Sequence, residues 1–245
     1  MTISHNSHNL SYLPCPNCYI LKLQSAKDQL MSQQTIWIAR HGNRIDFVNP
    51  EWFNTAERPY DPHLSDDGII QAKQLGNRLI GENITQILAS PFLRTVQTAN
   101  EVAELLDLSI KLDWGLCEWL NPEWIPAMPE TLSLETLAKT YNRIDLSYNP
   151  GHPQYPETWE ACMKRSGETA QRLAAQFPQD DILLVGHGAS VIGTAAGLVG
   201  EIAQTEIKAS LCCLVKIVSQ QKQWHLELKG DTSHLENTET TIRFV

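Results

Sequence analysis

The tetrapeptide Ile182-Leu183-Leu184-Val185 has no polar position, so a strand made from it has no face to turn to water. Runs of this kind belong to parallel sheets buried between two layers of helices. From Thr35 onward the chain alternates short apolar runs with segments of helical spacing, as that architecture requires. Further strands are predicted at 35–40, 84–89 and 110–112, with a closing pair at 211–218 and 224–228. Ser65 caps a predicted helix over 66–80, in which Ile69, Ala72, Leu75, Leu79 and Ile80 recur at helical spacing. Ser90 and Pro91 read as the cap and first residue of a second helix that runs through Val96, Ala99 and Val102 to Leu106. Helices are also predicted over 134–141, 158–177 and 191–198. The expected fold is α/β: three layers, α/β/α, around a mainly parallel central sheet, with 34–245 as one domain.

Residues 1–33 differ, being rich in Ser, Asn, Gln and His, and are expected to be a loosely ordered tail. Within it Cys15 and Cys18, with His5 and His8 upstream, have zinc-ligand character but lack a second firmly spaced pair, so no metal is assigned. The compositional break at Met31 suggests an alternative start for the working polypeptide. The six cysteines do not make the dense framework of a small secreted domain, and free thiols are expected. A net charge of -9 opposes binding to a nucleic-acid backbone, so any anion site must be a local basic pocket. No apolar stretch approaches the ~20 residues that span a bilayer, and the first thirty residues lack a secretory signal. A cytoplasmic protein without a membrane partner is expected, with a homodimer left open.

In open α/β sheets ligands bind beyond the carboxyl ends of the strands, where loops distant in sequence converge. Four such loops carry reactive groups. Arg40-His41-Gly42 ends the first strand: a neutral imidazole can attack phosphorus, and a guanidinium fork can hold the oxygens of the transferring group. Arg94 falls in the first turn of the helix after Ser90-Pro91, whose free amides and positive end would attract an anion. His187, flanked by Gly186 and Gly188, follows the buried strand and could donate to a phosphoryl oxygen. Glu118 sits among Trp114, Leu116, Cys117 and Trp119, where desolvation would raise its pKa as a general acid requires. For this chemistry the ring at position 41 must be reachable from solvent and close to the ring at position 187.

The motifs "ARHGNR", "LSDDGIIQAKQLGNRL", "ASPFLRTVQTA", "CEW" and "LVGHGASV", in this order, resemble the histidine phosphatase superfamily, in the branch that includes cofactor-dependent phosphoglycerate mutases. Within that branch, Arg44 and Asp46, "YDPHLSDDG" and "LSLETLAKTYNRIDLSY" are most similar to the phosphatase domain of the ubiquitin-associated and SH3 domain-containing proteins, also called suppressors of T-cell receptor signalling. The resemblance runs from Thr35 to about 197 and implies a phosphoglycerate mutase-like fold. It does not include the ubiquitin-binding and SH3 regions, so no signalling role is carried over. It implies phosphomonoester hydrolysis through a phosphohistidine on His41, with Glu118 as proton donor, Arg40, Arg94 and His187 as the clamp on phosphoryl oxygens, and no metal or other cofactor. Arg44 either reaches the same pocket or makes an outward salt bridge.

Two readings compete with a hydrolase. A phosphoglycerate mutase would carry a charged stretch where this chain has "CEWLNPEW", and a non-catalytic phosphate-binding module would need neither His41 nor Glu118. Phe47, Trp52, Phe53, Tyr60, Trp119, Trp124, Tyr141, Tyr148, Tyr155 and Trp159 lie in the loops expected to rim the pocket, which suits a bulky leaving group. The expected partner is thus a phosphorylated small molecule or phosphopeptide, with Arg58 and Arg143 either second anion contacts or surface charges.

Overall fold

A computed structural model describes residues 33–221 and 223–236; the expectations for the tail, Cys15, Cys18 and Met31 fall outside these residues. Six strands form one sheet: β1 (Thr35–Arg40), β2 (Ile84–Ala89), β3 (Ile110–Leu112), β4 (Asp181–Gly186), β5 (Leu214–Gln220) and β6 (Gln223–Asp231). Their spatial order is β3-β2-β4-β1-β5-β6. The strands β3, β2, β4 and β1 run parallel, and β5 is antiparallel to both β1 and β6.

The absence of a polar face on β4 now has its cause. Leu183 and Val185 enter one core with Trp37 and Ala39, while Ile182 and Leu184 enter the other with Ile36 and Ile38. Helices α1 (Ile45–Val48), α2 (Trp52–Thr55), α3 (Asp66–Leu79), α4 (Leu93–Leu106), α5 (Leu134–Thr140), α6 (Trp159–Gln176), α7 (Gly188–Val199) and α8 (Ile202–Glu206) complete the described chain. The first core is closed by α3 and α4 through Leu75, Leu79, Val96 and Val102. The second is closed by α6 and α7 through Leu173, Val191 and Ala195, so the three layers are as expected. Among the described residues no helix is long and apolar enough to cross a membrane, and Cys117, Cys162, Cys212 and Cys213 are free and buried.

Ser65 caps α3, its Oγ accepting the Gly68 N–H at 3.3 Å. The predicted Ser90 cap is corrected. The chain stays extended past β2, with Ser90 N–H donating to Val185 O, and α4 starts only at Leu93. Its first amide is taken by a distant carboxylate, Asp61 Oδ1 accepting the Leu93 N–H at 2.8 Å. In contrast, α7 starts at Gly188, earlier than the predicted 191, so His187 itself is the N-cap. Its amide donates to Ser190 Oγ at 2.8 Å. Neither α1 nor α2 buries a residue, which leaves no apolar periodicity from which to predict them.

Two glycines fix the loop behind β1. A Cβ on Gly42 would lie 2.5 Å from Gly68 O, and one on Gly68 would lie 2.1 Å from Asn43 O. The first turn of α3 is therefore pressed directly against the backbone that carries His41.

Candidate active site

The sheet itself sets the spacing of the two imidazoles. Arg40 pairs with Gly186 in the β1–β4 register, and His41 N–H donates to Gly186 O at 3.0 Å. Neighbouring strands lie about 4.8 Å apart; the His41 and His187 ring centroids are 5.3 Å apart at an interplanar angle of 63°.

His41 Nδ1 lies 2.7 Å from Gly42 O, an atom that can only accept. The neutral ring thus carries its proton on Nδ1 and keeps the lone pair on Nε2. Burial, followed by the charges of Arg94, Arg40 and Arg44, holds the His41 pKa well below 6.5, so the neutral form dominates at neutral pH. His187 is held neutral in the same way, by burial and then by Arg94, His41 and Arg40. Its Nε2 lies 2.8 Å from Ser90 Oγ. Ser90 Oγ also accepts the Phe92 N–H at 3.5 Å, while the other ring nitrogen of His187, Nδ1, has no partner among the described residues. That nitrogen is 3.9 Å from Glu118 Oε2.

Arg94 is buried with its guanidinium 4.6 Å above the Phe92 ring and its Nη1 4.0 Å from Asp61 Oδ1. Burial, then Arg44, lowers its pKa to about 10, so it stays a cation at neutral pH. Asp61 is the corresponding anion; burial pushes it up to about 6 against the pull of Arg94. The expectation that the α4 N-terminus offers free amides to a ligand is corrected here, because Asp61 already occupies that end. Arg40 is fully buried and donates Nη1–H to Ala209 O at 2.7 Å. Arg44 lines the pocket, and its pair with Asp46 through Nε and Nη2 is buried rather than outward. Glu118 follows the single turn Trp114–Leu116; its Oε1 accepts the Trp119 N–H at 2.9 Å.

His41 Nε2, His187 Nδ1, Arg94 Nε and Nη1, and Glu118 Oε2 are buried atoms without a hydrogen-bond partner among the described residues. Each such group costs about 1–3 kcal/mol. Their concentration around one point fits a tetrahedral oxyanion, which offers acceptors to the guanidinium and to the His187 N–H and presents a leaving-group oxygen to Glu118. Among the described residues no group of three or more His, Cys, Asp or Glu is placed to hold a metal ion.

Proximity of the two rings is as the sequence requires, but reachability is not. The ring of His41 is 0% exposed. A cavity of about 160 Å³ is lined by Arg44, Arg94 and Glu118 together with Phe53, Tyr60, Trp119, Trp124 and Ile125, and neither imidazole forms part of its wall. Arg44, Arg94 and Glu118 are the charged residues of that wall.

Only part of the aromatic set forms this wall. Trp159 supports Trp119 edge-on at 5.2 Å, and the Tyr155 hydroxyl donates to Ile125 O. Tyr141 and Tyr148 instead pack against the two cores and are corrected as rim residues. Arg143 is corrected as an anion contact, since it pairs with Glu104 and Asp107 on the surface; Arg58 pairs with Glu57 and is not part of the wall. Asp61 went unseen in the sequence, where nothing but its place in "YDPHLSDDG" marks it.

The buried imidazoles make stability depend on pH. Their folded pKa values lie below the unfolded value near 6.5, so below that pH the unfolded chain binds more protons and stability falls. The loss reaches up to about 1.4 kcal/mol per pH unit for each imidazole. Urea melts between pH 7 and 5 should show a shallower fall for His187→Gln than for the parent; parallel curves would refute the neutral pair.

Comparison with known sequences places this geometry among relatives. A profile of the histidine phosphatase superfamily (branch 1) matches residues 36–232. Human ubiquitin-associated and SH3 domain-containing protein A is 28% identical, covering 69% of this chain and 32% of that protein. The Drosophila melanogaster ecdysteroid-phosphate phosphatase is 26% identical, covering 78% of this chain and 31% of that protein. The chain therefore spans about a third of the length of these curated relatives. The crystal structure of the ecdysone phosphate phosphatase from Bombix mori in complex with tungstate superposes with a TM-score of 0.70 at 22% identity, covering 86% of this chain and 98% of that one.

Proposed function

The chain belongs to the histidine phosphatase superfamily (branch 1), and from that premise we propose that it hydrolyses phosphomonoesters by two transfers through a phosphohistidine on His41. The observation that carries the reading is the unpartnered His41 Nε2, set beside the free donors of Arg94 and the bare Oε2 of Glu118. In the first transfer the Nε2 lone pair forms the P–N bond as the ester P–O bond breaks, and Glu118 gives its proton to the departing oxygen. In the second, Glu118 as carboxylate takes a proton from water while the water oxygen displaces Nε2 from phosphorus. Arg40, Arg94 and the His187 Nδ1–H hold the three equatorial oxygens, where charge stabilisation supplies most of the rate.

The outer wall favours a large apolar alcohol as leaving group. Phe53 and Trp124 remain 51% and 38% exposed at the mouth, so a bulky aromatic or polycyclic group would remove apolar surface from water on binding. A relative named for ecdysteroid phosphates is in keeping with this choice. Among the described residues the cations of this wall are Arg44 and Arg94, and the rest of it is largely aromatic and apolar, which favours hydrolysis of a bulky ester over mutase chemistry.

Rapid quenching during turnover of a bulky aryl phosphate should yield an acid-labile phosphoryl group on His41, located by peptide mass spectrometry. A label carried by another residue overturns the mechanism. Efficient conversion of 3-phosphoglycerate to 2-phosphoglycerate overturns the reaction class.

A further inference from the structure

Arg165, on α6, makes contacts that the reaction as described does not use. Its Nε donates to Glu157 Oε1 at 2.5 Å and its Nη2 to Glu157 Oε2 at 2.8 Å, a bidentate pair. The remaining guanidinium donors turn mainly to one stretch of backbone: Nη1 to Gly115 O at 2.9 Å and Cys117 O at 3.2 Å, and Nη2 to Glu118 O at 3.3 Å, with a longer contact from Nη2 to Cys162 Sγ at 3.4 Å. Glu157 grips the far side of the same stretch. Its Oε2 accepts the Leu120 N–H at 3.3 Å, its own N–H donates to Leu120 O, and its carbonyl accepts Trp119 Nε1–H at 3.0 Å.

We propose that the Arg165–Glu157 pair is a positioning device for the proton donor, holding the 115–120 backbone so that Glu118 Oε2 faces the leaving-group oxygen. The chemical need is clear. Glu118 stands on an irregular segment with no strand or helix to fix it, and only one of its carboxylate oxygens is tied, to the next residue's amide. A planar fork with five N–H donors can serve one carboxylate and three carbonyls at once, which a lysine cannot do. Proton transfer is sensitive to such placement, since a shift of about 1 Å can cost about 100-fold in rate. The proposal rests on Glu118 being the acid, as argued above.

The test compares two esters of similar size: benzyl phosphate, whose alkoxide needs protonation as it leaves, and 4-nitrophenyl phosphate, whose phenolate does not. Removing Arg165 alone leaves the buried Glu157 carboxylate uncompensated, so the variant is Arg165→Met with Glu157→Gln. The ratio kcat/KM is read because it reports the first transfer only. For benzyl phosphate it should fall about 10- to 100-fold, and for 4-nitrophenyl phosphate by less than about 3-fold, with inhibition by inorganic phosphate unchanged. Adding Glu118→Gln to this variant should then cost less on benzyl phosphate than Glu118→Gln costs in the parent, because the donor is already misplaced. Arg165→Lys, which keeps charge and folds more readily, should shift the ratio of the two esters in the same direction. Equal falls on both esters, no fall on either, or full additivity with Glu118→Gln overturns the positioning role. His41→Ala measured alongside separates the two levels: if it turns over like the parent, the phosphohistidine reading fails and the positioning role with it.

Discussion

His41→Ala is expected to lower kcat/KM for 4-nitrophenyl phosphate by roughly 10⁴-fold or more, because no other buried nitrogen can replace Nε2 as the attacking atom. His187 is the nearest imidazole, but its Nε2 is engaged by Ser90. The substitution should leave the fold intact. The backbone bonds at this position, His41 N–H to Gly186 O and Cys212 N–H to His41 O, survive in alanine, and one buried unpartnered nitrogen is removed. Stability should therefore equal or exceed that of the parent, most visibly below pH 6.5, where the lost imidazole no longer opposes folding by staying neutral. Inorganic phosphate should still bind, since Arg40, Arg94 and His187 are unchanged. An active His41→Ala protein defeats the mechanism, and an unfolded one defeats the stability prediction; initial rates and a thermal melt on the same preparation decide both.

Glu118→Gln should cost about 10²- to 10⁴-fold in kcat/KM on benzyl phosphate, the usual worth of a placed general acid. Glutamine preserves the shape, and its side-chain oxygen can still accept the Trp119 N–H. On 4-nitrophenyl phosphate the first transfer should persist within about 10-fold, because the departing phenolate is stable without a proton. The second transfer should then become limiting, since no carboxylate remains to take the proton from water. A burst of nitrophenol followed by slow turnover is the expected signature. Loss of both esters in equal measure would move the proton donor elsewhere, with Asp61, raised to about 6 and lacking a partner for Oδ2, as the next carboxyl to test.

What could be read from the sequence was what lies at strand ends. His41 and His187 each follow a run of apolar residues, and parallel neighbours place such positions side by side, so the pairing of the rings needed only the sheet. Arg94 and Glu118 follow the same logic from β2 and β3. Ser90 was read as a helix cap, the usual local role of serine before proline, but tertiary contact won: its hydroxyl goes to His187 and the helix is capped from residue 61. Nothing local in the sequence encodes that exchange, nor the tie from Arg165 across fifty residues of chain to Gly115. The early start of α7 was missed because Gly188-Ala189-Ser190 has small residues and no apolar spacing. Arg58 and Arg143 could be either anion contacts or surface charges on the sequence, because a charge in a loop says nothing about its partner until the partner is placed.

The two imidazoles owe their separation to neighbouring strands, whereas the apolar wall of the pocket is drawn from 53–60 and 119–125, outside the sheet. Reaction and recognition are thus carried by parts of the molecule with different tolerance for change. Substitutions at Phe53, Tyr60 or Trp124 can alter which esters are accepted while β1 and β4 stay untouched. On the proposed reaction, changes confined to these loops would alter which phosphate esters are accepted and leave the chemical step as it is.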